Sequence, residues 1–353
     1  MQIVYSDAHA AHHPKHFVVA GALQPSPEVP ARADRLIAAA RAEGHQVITP
    51  EPCGLGPIAA VHSAEYLDYL EHAARRWSYI EGASTEVVAN VHPNGRTAGP
   101  GRGGYPDGVV GQAGYHSADA ACPISEGTWP AACASASSAV QAARIVQAGA
   151  PAAYALCRPP GHHAFADMAG GFCYLNNSAI AAQLFAAAGA RAAVLDVDVH
   201  HGNGTQGIFY DRGDVLTVSL HADPARFYPF FWGYAEERGE GAGLGANLNL
   251  PLPKSTDDAA YLEALERALR RLRAFAPDVL IVALGLDAHE GDPFKGMAIT
   301  TEGFGRVGGT IGALGLPSVL VQEGGYLNDQ LGANLVSFLA GFERAHPLVL
   351  PEG

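Results

Sequence analysis

Residues 195–206 read LDVDVHHGNGTQ, and the rest of the chain is best read outward from them. They end an apolar, β-branched run that starts at Ala192, so residues 192–199 are expected to form a strand. Side chains on a strand alternate faces, which puts Asp196, Asp198 and His200 on one side and Val197 and Val199 on the other. Two carboxylates and an imidazole crowded onto one face of a buried strand are costly unless a cation neutralises them. With a third carboxylate, Asp287, the donor set suits a divalent metal with an open coordination position, the catalytic rather than the structural zinc arrangement. A satisfied polar network at a strand end is the bland alternative. An isolated Asp-x-His would favour that alternative; the triple beside His162-His163 favours the metal.

Further strands are expected at 2–6, 152–157, 214–220, 279–285 and 318–322, and helices at 63–80, 128–148, 173–188, 257–275 and 301–314. The helix near 257 is the clearest, with capping and acidic side chains at Ser255–Asp258 ahead of Leu262, Leu265, Leu269 and Leu272 on one face. Strands alternating with helices point to an α/β fold with a mostly parallel central sheet and helices on both faces. The polar groups then fall at strand carboxyl ends, where such sheets place their sites: Arg158-Pro-Pro-Gly-His162-His163, Asp196 to His200, Asp287, and Glu323-Gly-Gly-Tyr326. A metal-activated water needs a base, and the developing oxyanion needs a donor. His162 and His163 can move the proton and Tyr326 can donate the hydrogen bond, a set suited to hydrolysis of a carbonyl compound, an amide first.

The chain has 353 residues, with 22 Lys plus Arg against 35 Asp plus Glu, a formal net charge of −13. Such a surface repels phosphate backbones and anionic lipid, so neither nucleic acid nor membrane is an expected partner. With 48% hydrophobic and only 16% charged residues and no polar low-complexity linker, a single domain over 1–353 is expected. Five cysteines, none in a CxxC pair, read as reduced thiols, and the N-terminus shows no secretory pattern; the expected location is the cytoplasm. The uncharged stretch Met168–Ala190 contains Gly170, Gly171, Asn176, Asn177 and Gln183, and reads as a buried helix of a soluble protein, not a membrane span. The sequence GPGRGG at 99–104 lacks the ending of a phosphate-binding loop and lies in a long loop, about 82–111. His9, His12, His13 and His16 read as an exposed loop at the rim of the site.

The segments RPPGHHA (158–164), GGFCYLNN (170–177), LDVDVHHGNGTQ (195–206), GLDAHEGDP (285–293) and QEGGY (322–326) together resemble the histone deacetylase superfamily, in the prokaryotic branch of the acetylpolyamine amidohydrolases. The resemblance runs from about residue 1 to 345. It implies an arginase/deacetylase-like fold, one Zn²⁺ on Asp198, His200 and Asp287, His162 and His163 as the proton-transfer pair, and Tyr326 as the group that polarises the carbonyl. It further implies Asp196 as the partner of His162, and a structural K⁺ held by Asp196, main-chain atoms of Asp198, His200 and Leu220, and the Ser219 side chain. Asn203 stands where some members carry an Asp behind the second histidine, so His163 is expected to be the less basic of an unequal pair. Gly171, Phe172, and Phe227 or Tyr228, with Phe294 nearby, correspond to the walls of the family's narrow acyl-lysine tunnel. The 82–111 loop corresponds to an insertion that pairs two subunits and narrows the mouth, implying a homodimer that admits slender substrates.

One departure stands out. Where the branch places acidic residues that grip an ammonium group, this chain has Val110 and Ala121, with Asp119 or Asp107 as the nearby substitutes. The expected substrate is therefore a small-molecule N-acyl amine or amide, whether an acetylpolyamine, an acetyl-lysine or a small neutral, even xenobiotic, amide. Two other classes compete: a binuclear manganese ureohydrolase, suggested by Asp287-Ala-His289, and a catalytically silent acyl reader, which would be expected to lack a metal ligand or the tyrosine.

Overall fold

A computed structural model describes residues 1–93 and 104–347. Its strands are β1 (Gln2–Val4), β2 (His16–Val19), β3 (Ala22–Pro25), β4 (Gln46–Ile48), β5 (Ala152–Ala155), β6 (Ala192–Asp196), β7 (Val215–Ala222), β8 (Asn247–Leu252), β9 (Val279–Leu284) and β10 (Ser318–Gln322). Its α-helices are α1 (Ala31–Ala42), α2 (Leu55–Ala59), α3 (Ala64–Trp77), α4 (Val109–Tyr115), α5 (Thr128–Gln147), α6 (Asn177–Ala187), α7 (Asn203–Phe209), α8 (Asp258–Phe275), α9 (Thr301–Gly312) and α10 (Leu331–Ala345). Eight strands form one sheet in the order β4-β1-β5-β10-β9-β6-β7-β8, and all its pairings are parallel. β2 and β3 form a separate antiparallel hairpin.

The central strands are mostly apolar because both of their faces are covered. In β9, Leu280, Val282 and Leu284 join a core with α1, α8, α9 and α10, while Val279, Ile281 and Ala283 join a second core with α3, α5 and α6. The period of two thus divides each strand between two helical layers. β5, β10, β9 and β6 are spatial neighbours, so the polar groups that follow them are delivered to one place at the middle of the sheet edge.

The expected elements are present, most with shorter ends, although β7 runs on to Ala222 and β10 keeps its expected bounds, and several elements were not anticipated. Strand 192–199 stops at Asp196, because the chain turns there: the Asp196 carboxylate accepts from the Asp198 N–H at 3.0 Å, and the Asp198 carboxylate accepts from the His200 N–H at 2.9 Å. Val197 and Val199 still enter the core, so the alternation of faces survives past the strand. Met168–Ala190 is not one helix; turns lead to α6, which the Asn176 side chain caps by accepting from the Ala179 N–H. Residues 94–103 of the 82–111 loop lie outside the described residues, and its last three positions belong to α4. His9 and His12 are buried, not exposed; only His13 and His16 of that cluster reach solvent.

Candidate active site

At the end of β6 and β9, His200 Nδ1 lies 3.1 Å from Asp198 Oδ1 and 3.1 Å from Asp287 Oδ2. Both carboxylates are fully buried and His200 nearly so. Their remaining oxygens are held by backbone donors: Asp198 Oδ2 accepts from the Gly324 N–H at 2.7 Å, and Asp287 Oδ1 from the Val199 N–H at 3.0 Å. Close approach of backbone to carboxylate requires glycine here, since a Cβ on Gly324 would stand 2.1 Å from Asp287 Oδ2 and one on Gly285 2.2 Å from Asp198 Oδ2.

The charge pattern suits a cation. Burial lowers the affinity of His200 for a proton, but hydrogen bonds and attraction from Asp198 and Asp287 outweigh it and hold its pKa at about 9. The three side chains thus concentrate negative potential on one point, where a proton sits in the absence of a metal and from which a metal would displace it. The ligand-to-ligand spacing of 3.1 Å is close to the edge of a tetrahedron with arms of about 2.0 Å, roughly 3.3 Å. A second cluster, His162, Cys173 and Glu323, is equally close-set but is a poor metal site. Glu323 already accepts from the N–H groups of Gly161 and His162 and from the Ser178 hydroxyl, and burial pushes the Cys173 thiol well up.

His162 and His163 follow β5 and are adjacent in sequence, yet their environments differ. His162 Nδ1 pairs with Asp196 Oδ2 at 2.9 Å; burial opposes its charge, but Asp196 and Asp198 prevail and raise it to about 10. His163 Nδ1 meets Asn203 Oδ1, at the start of α7, at 2.7 Å, and burial together with the neighbouring His162 and His200 holds it well below an ordinary histidine. An amide oxygen accepts from Nδ1–H, which leaves the Nε2 lone pair of a neutral His163 available.

Of these groups, His163 and His200 line a cavity of about 600 Å³, together with Tyr326. Gly171, Phe172, Phe227, Tyr228 and Phe294 all line it too, as does Ala121. Val110, on α4, is not among its lining residues, and neither is Asp107. Gly171 and Phe172 take φ values of +49° and +70°, a left-handed turn that is strained for phenylalanine and aims its ring at Phe17 and Tyr326. Asp196 and Ser219 border a separate small polar void of about 10 Å³, room for about one water-sized guest; Asp198, His200 and Leu220 are not in its lining.

Several contributors escaped sequence reading. The β2–β3 hairpin brings Phe17, Val18, Val19 and Ala20 to the mouth, and Ala120, Arg226 and Phe230 complete it. Beneath Tyr326, Arg32 on α1 donates to the carbonyls of Glu323 and Gly325, and its guanidinium lies 4.5 Å from the tyrosine ring centroid. Arg32 in turn pairs with fully buried Glu28, whose carboxylate also takes two hydrogen bonds from Arg158 and whose carbonyl takes a third. Asp292 accepts from the N–H groups of both Phe294 and Tyr326, tying one cavity wall to the other. The Glu28/Arg32 spacing of four and the Leu36-Ile37-Ala40 pattern were the available signals for this layer.

Residues 26–342 match the histone deacetylase domain family. The chain belongs to the histone deacetylase family. Within this family it is 52% identical over 335 residues to an acetylpolyamine amidohydrolase of Burkholderia pseudomallei, covering 94% of this chain and 95% of that protein. It is also 43% identical to an acetylpolyamine amidohydrolase of Mycoplana ramosa, covering 97% and 99% of the two chains. The crystal structure of the acetylpolyamine aminohydrolase from Burkholderia pseudomallei, from an iodide soak, superposes with a TM-score of 0.93 at 50% identity, over 98% of this chain and 100% of that one. The chain is thus a histone deacetylase family member of the acetylpolyamine amidohydrolase-like branch and a hydrolase of amide bonds.

Proposed function

We propose that the protein is a zinc-dependent deacetylase that cleaves the acyl group from slender N-acyl amines, folded as one catalytic domain over 1–353 and working in the cytoplasm as a homodimer paired through the 82–111 segment. The observation that carries this reading is the Asp198–His200–Asp287 pocket, set at the bottom of a cavity that also presents His163 and Tyr326. Asp198, His200 and Asp287 would hold the zinc ion, which when bound polarises a carbonyl and acidifies a water molecule. The acyl group enters between Phe172 and Phe227. His163 Nε2 takes the proton of the attacking water and later delivers it to the departing amine nitrogen as the C–N bond breaks. His162, paired with Asp196, keeps its proton and supplies positive charge beside the reaction. Burial keeps the Tyr326 hydroxyl protonated, with Arg32 opposing that shift, so it donates a hydrogen bond to the carbonyl oxygen as charge develops there.

Structural potassium is part of the same proposal, on Asp196, the Ser219 hydroxyl and main-chain atoms of Asp198, His200 and Leu220; the buried Asp196 and Ser219 beside the small polar void support it. The absence of a membrane-spanning helix among the described residues agrees with the proposed location. The ureohydrolase alternative loses ground because His289 turns away, accepting from the Gly291 N–H at 3.0 Å and stacking on Phe304. Chelation is expected to abolish hydrolysis of an acetylated amine and zinc to restore it; undiminished turnover by metal-free protein would overturn the proposal. Sedimentation of the full chain tests the dimer.

A further inference from the structure

The cavity's mouth is chemically unlike its floor. Among the described residues, the one carboxylate lining the cavity is Asp119, and three donors already bond to it. Asp119 Oδ2 accepts from the Tyr228 hydroxyl at 2.5 Å and from the Gly171 N–H at 3.1 Å, while Oδ1 accepts from the Ala121 N–H at 2.8 Å. Those three bonds make it a brace for the tunnel wall and leave little of it to grip a substrate's ammonium group. The hairpin side of the mouth is apolar and exposed, at Val18 and Val19.

Another part of the mouth carries cations. Exposed Arg226 lines the cavity and also an adjoining pocket of about 310 Å³, shared with Phe227, Asp223, Pro253 and Lys254. Asp223 is the single carboxylate there, against two cations, and one of its oxygens already accepts from the Ala225 N–H. Lys254 sits on a turn joined to the next by a hydrogen bond from the Ser255 N–H to the Gly296 carbonyl, and that neighbouring turn carries exposed Lys295 directly after Phe294 of the tunnel wall. No salt bridge engages Arg226, Lys254 or Lys295 among the described residues. The chain has only three lysines and a net charge of −13, so placing two of them with an unpaired arginine beside one mouth is a local reversal of its charge.

We infer that this mouth reads the far end of the substrate as an anion: the preferred substrate is an N-acyl amine whose amine portion ends in a carboxylate, received by Arg226 and Lys254, instead of one that ends in an ammonium group. The inference rests on the deacetylase reading above and narrows its substrate. A carboxylate is matched by the fork of Arg226, whereas an ammonium group at the same place meets two like charges against one carboxylate, Asp223, of which one oxygen is already bonded.

Three probes of equal length separate the possibilities on the zinc-loaded full chain: 4-acetamidobutanoate, N-pentylacetamide and N-acetylputrescine, which end in an anion, a methyl group and a cation. The expected order of kcat/KM is anion, neutral, cation, with about tenfold between first and last at low salt, carried mainly by KM and shrinking as salt screens the exposed rim. Arg226→Glu is expected to invert the ratio of anionic to cationic turnover, and Lys254→Glu to shift it the same way by less. Preference for N-acetylputrescine, or equal turnover of all three, overturns the inference and leaves the deacetylase reading standing. Hydrolysis of none of them, with zinc bound, overturns the deacetylase reading and the inference with it.

Discussion

At the floor of the cavity lies His200, backed by buried Asp198, Asp287 and His162 whose polar atoms meet named partners, whereas at the rim Val18, Val19 and Phe230 stand in solvent and Arg226 has no ion pair among the described residues. The floor hangs from four adjacent parallel strands with helices on both faces; the rim is assembled from a two-stranded hairpin and loops far apart in sequence. Buried charge is tolerable only where geometry is fixed, so the floor admits little change, while a solvated rim can alter specificity at small cost to folding.

Breaking the floor should therefore give the largest effects. Asp287→Asn removes one of the two charges that converge on His200 and is expected to lower kcat/KM by about 10³-fold or more, roughly 4 kcal/mol, with zinc content falling in parallel by elemental analysis. Tyr326→Phe deletes a donor but no ligand: about 10²-fold lower kcat is expected, with KM and zinc content nearly unchanged, and a matching loss in zinc content would argue against the assigned role.

The layer under the floor should show itself in stability instead of turnover. His62 Nε2 accepts from the Asn176 N–H, and the Asn176 carboxamide donates to the Ala164 carbonyl just past His162-His163. Burial pushes His62 down to about 4 from an ordinary 6.5, so the unfolded chain binds the proton first as pH falls. What neutral His62 contributes is fully present above about pH 6.5 and is lost as pH drops towards 4; the stability advantage of wild type over His62→Gln should shrink by about 1.4 kcal/mol per pH unit in that window, by urea denaturation. The smallest effect belongs to the rim. Phe231, which follows Phe230 of the rim, is 85% exposed, and Phe231→Ser should change stability by less than about 0.5 kcal/mol in the same assay.

The floor was far more legible than the rim. LDVDVHHGNGTQ showed which face carries donors, and the apolar runs of β5, β6, β9 and β10 marked strands buried on both sides. Edge strands β4 and β8 were missed because one is three residues long and the other carries Asn247 and Asn249, whose side chains serve a polar network with Gln206. His9 and His12 looked like exposed polar residues because their burial depends on Glu28, Arg158 and Thr128, which reach them from other elements. The same holds for Asp119: its sequence position suggested a free carboxylate, and only the packing of Tyr228 and Gly171 against it shows the three donors that occupy it.

By itself the sequence determined the alternation of strand and helix, the two apolar faces of the sheet, and the donor types waiting at the strand ends, because these follow from local periodicity and from the chemistry of single residues. Only the tertiary structure decided that Asp287 meets Asp198 and His200, that adjacent His162 and His163 receive opposite electrostatic environments, and that a distant hairpin and Arg226 close the same mouth. Those outcomes depend on which strands become neighbours and on how much water is excluded between them, and neither is written in any short stretch of chain.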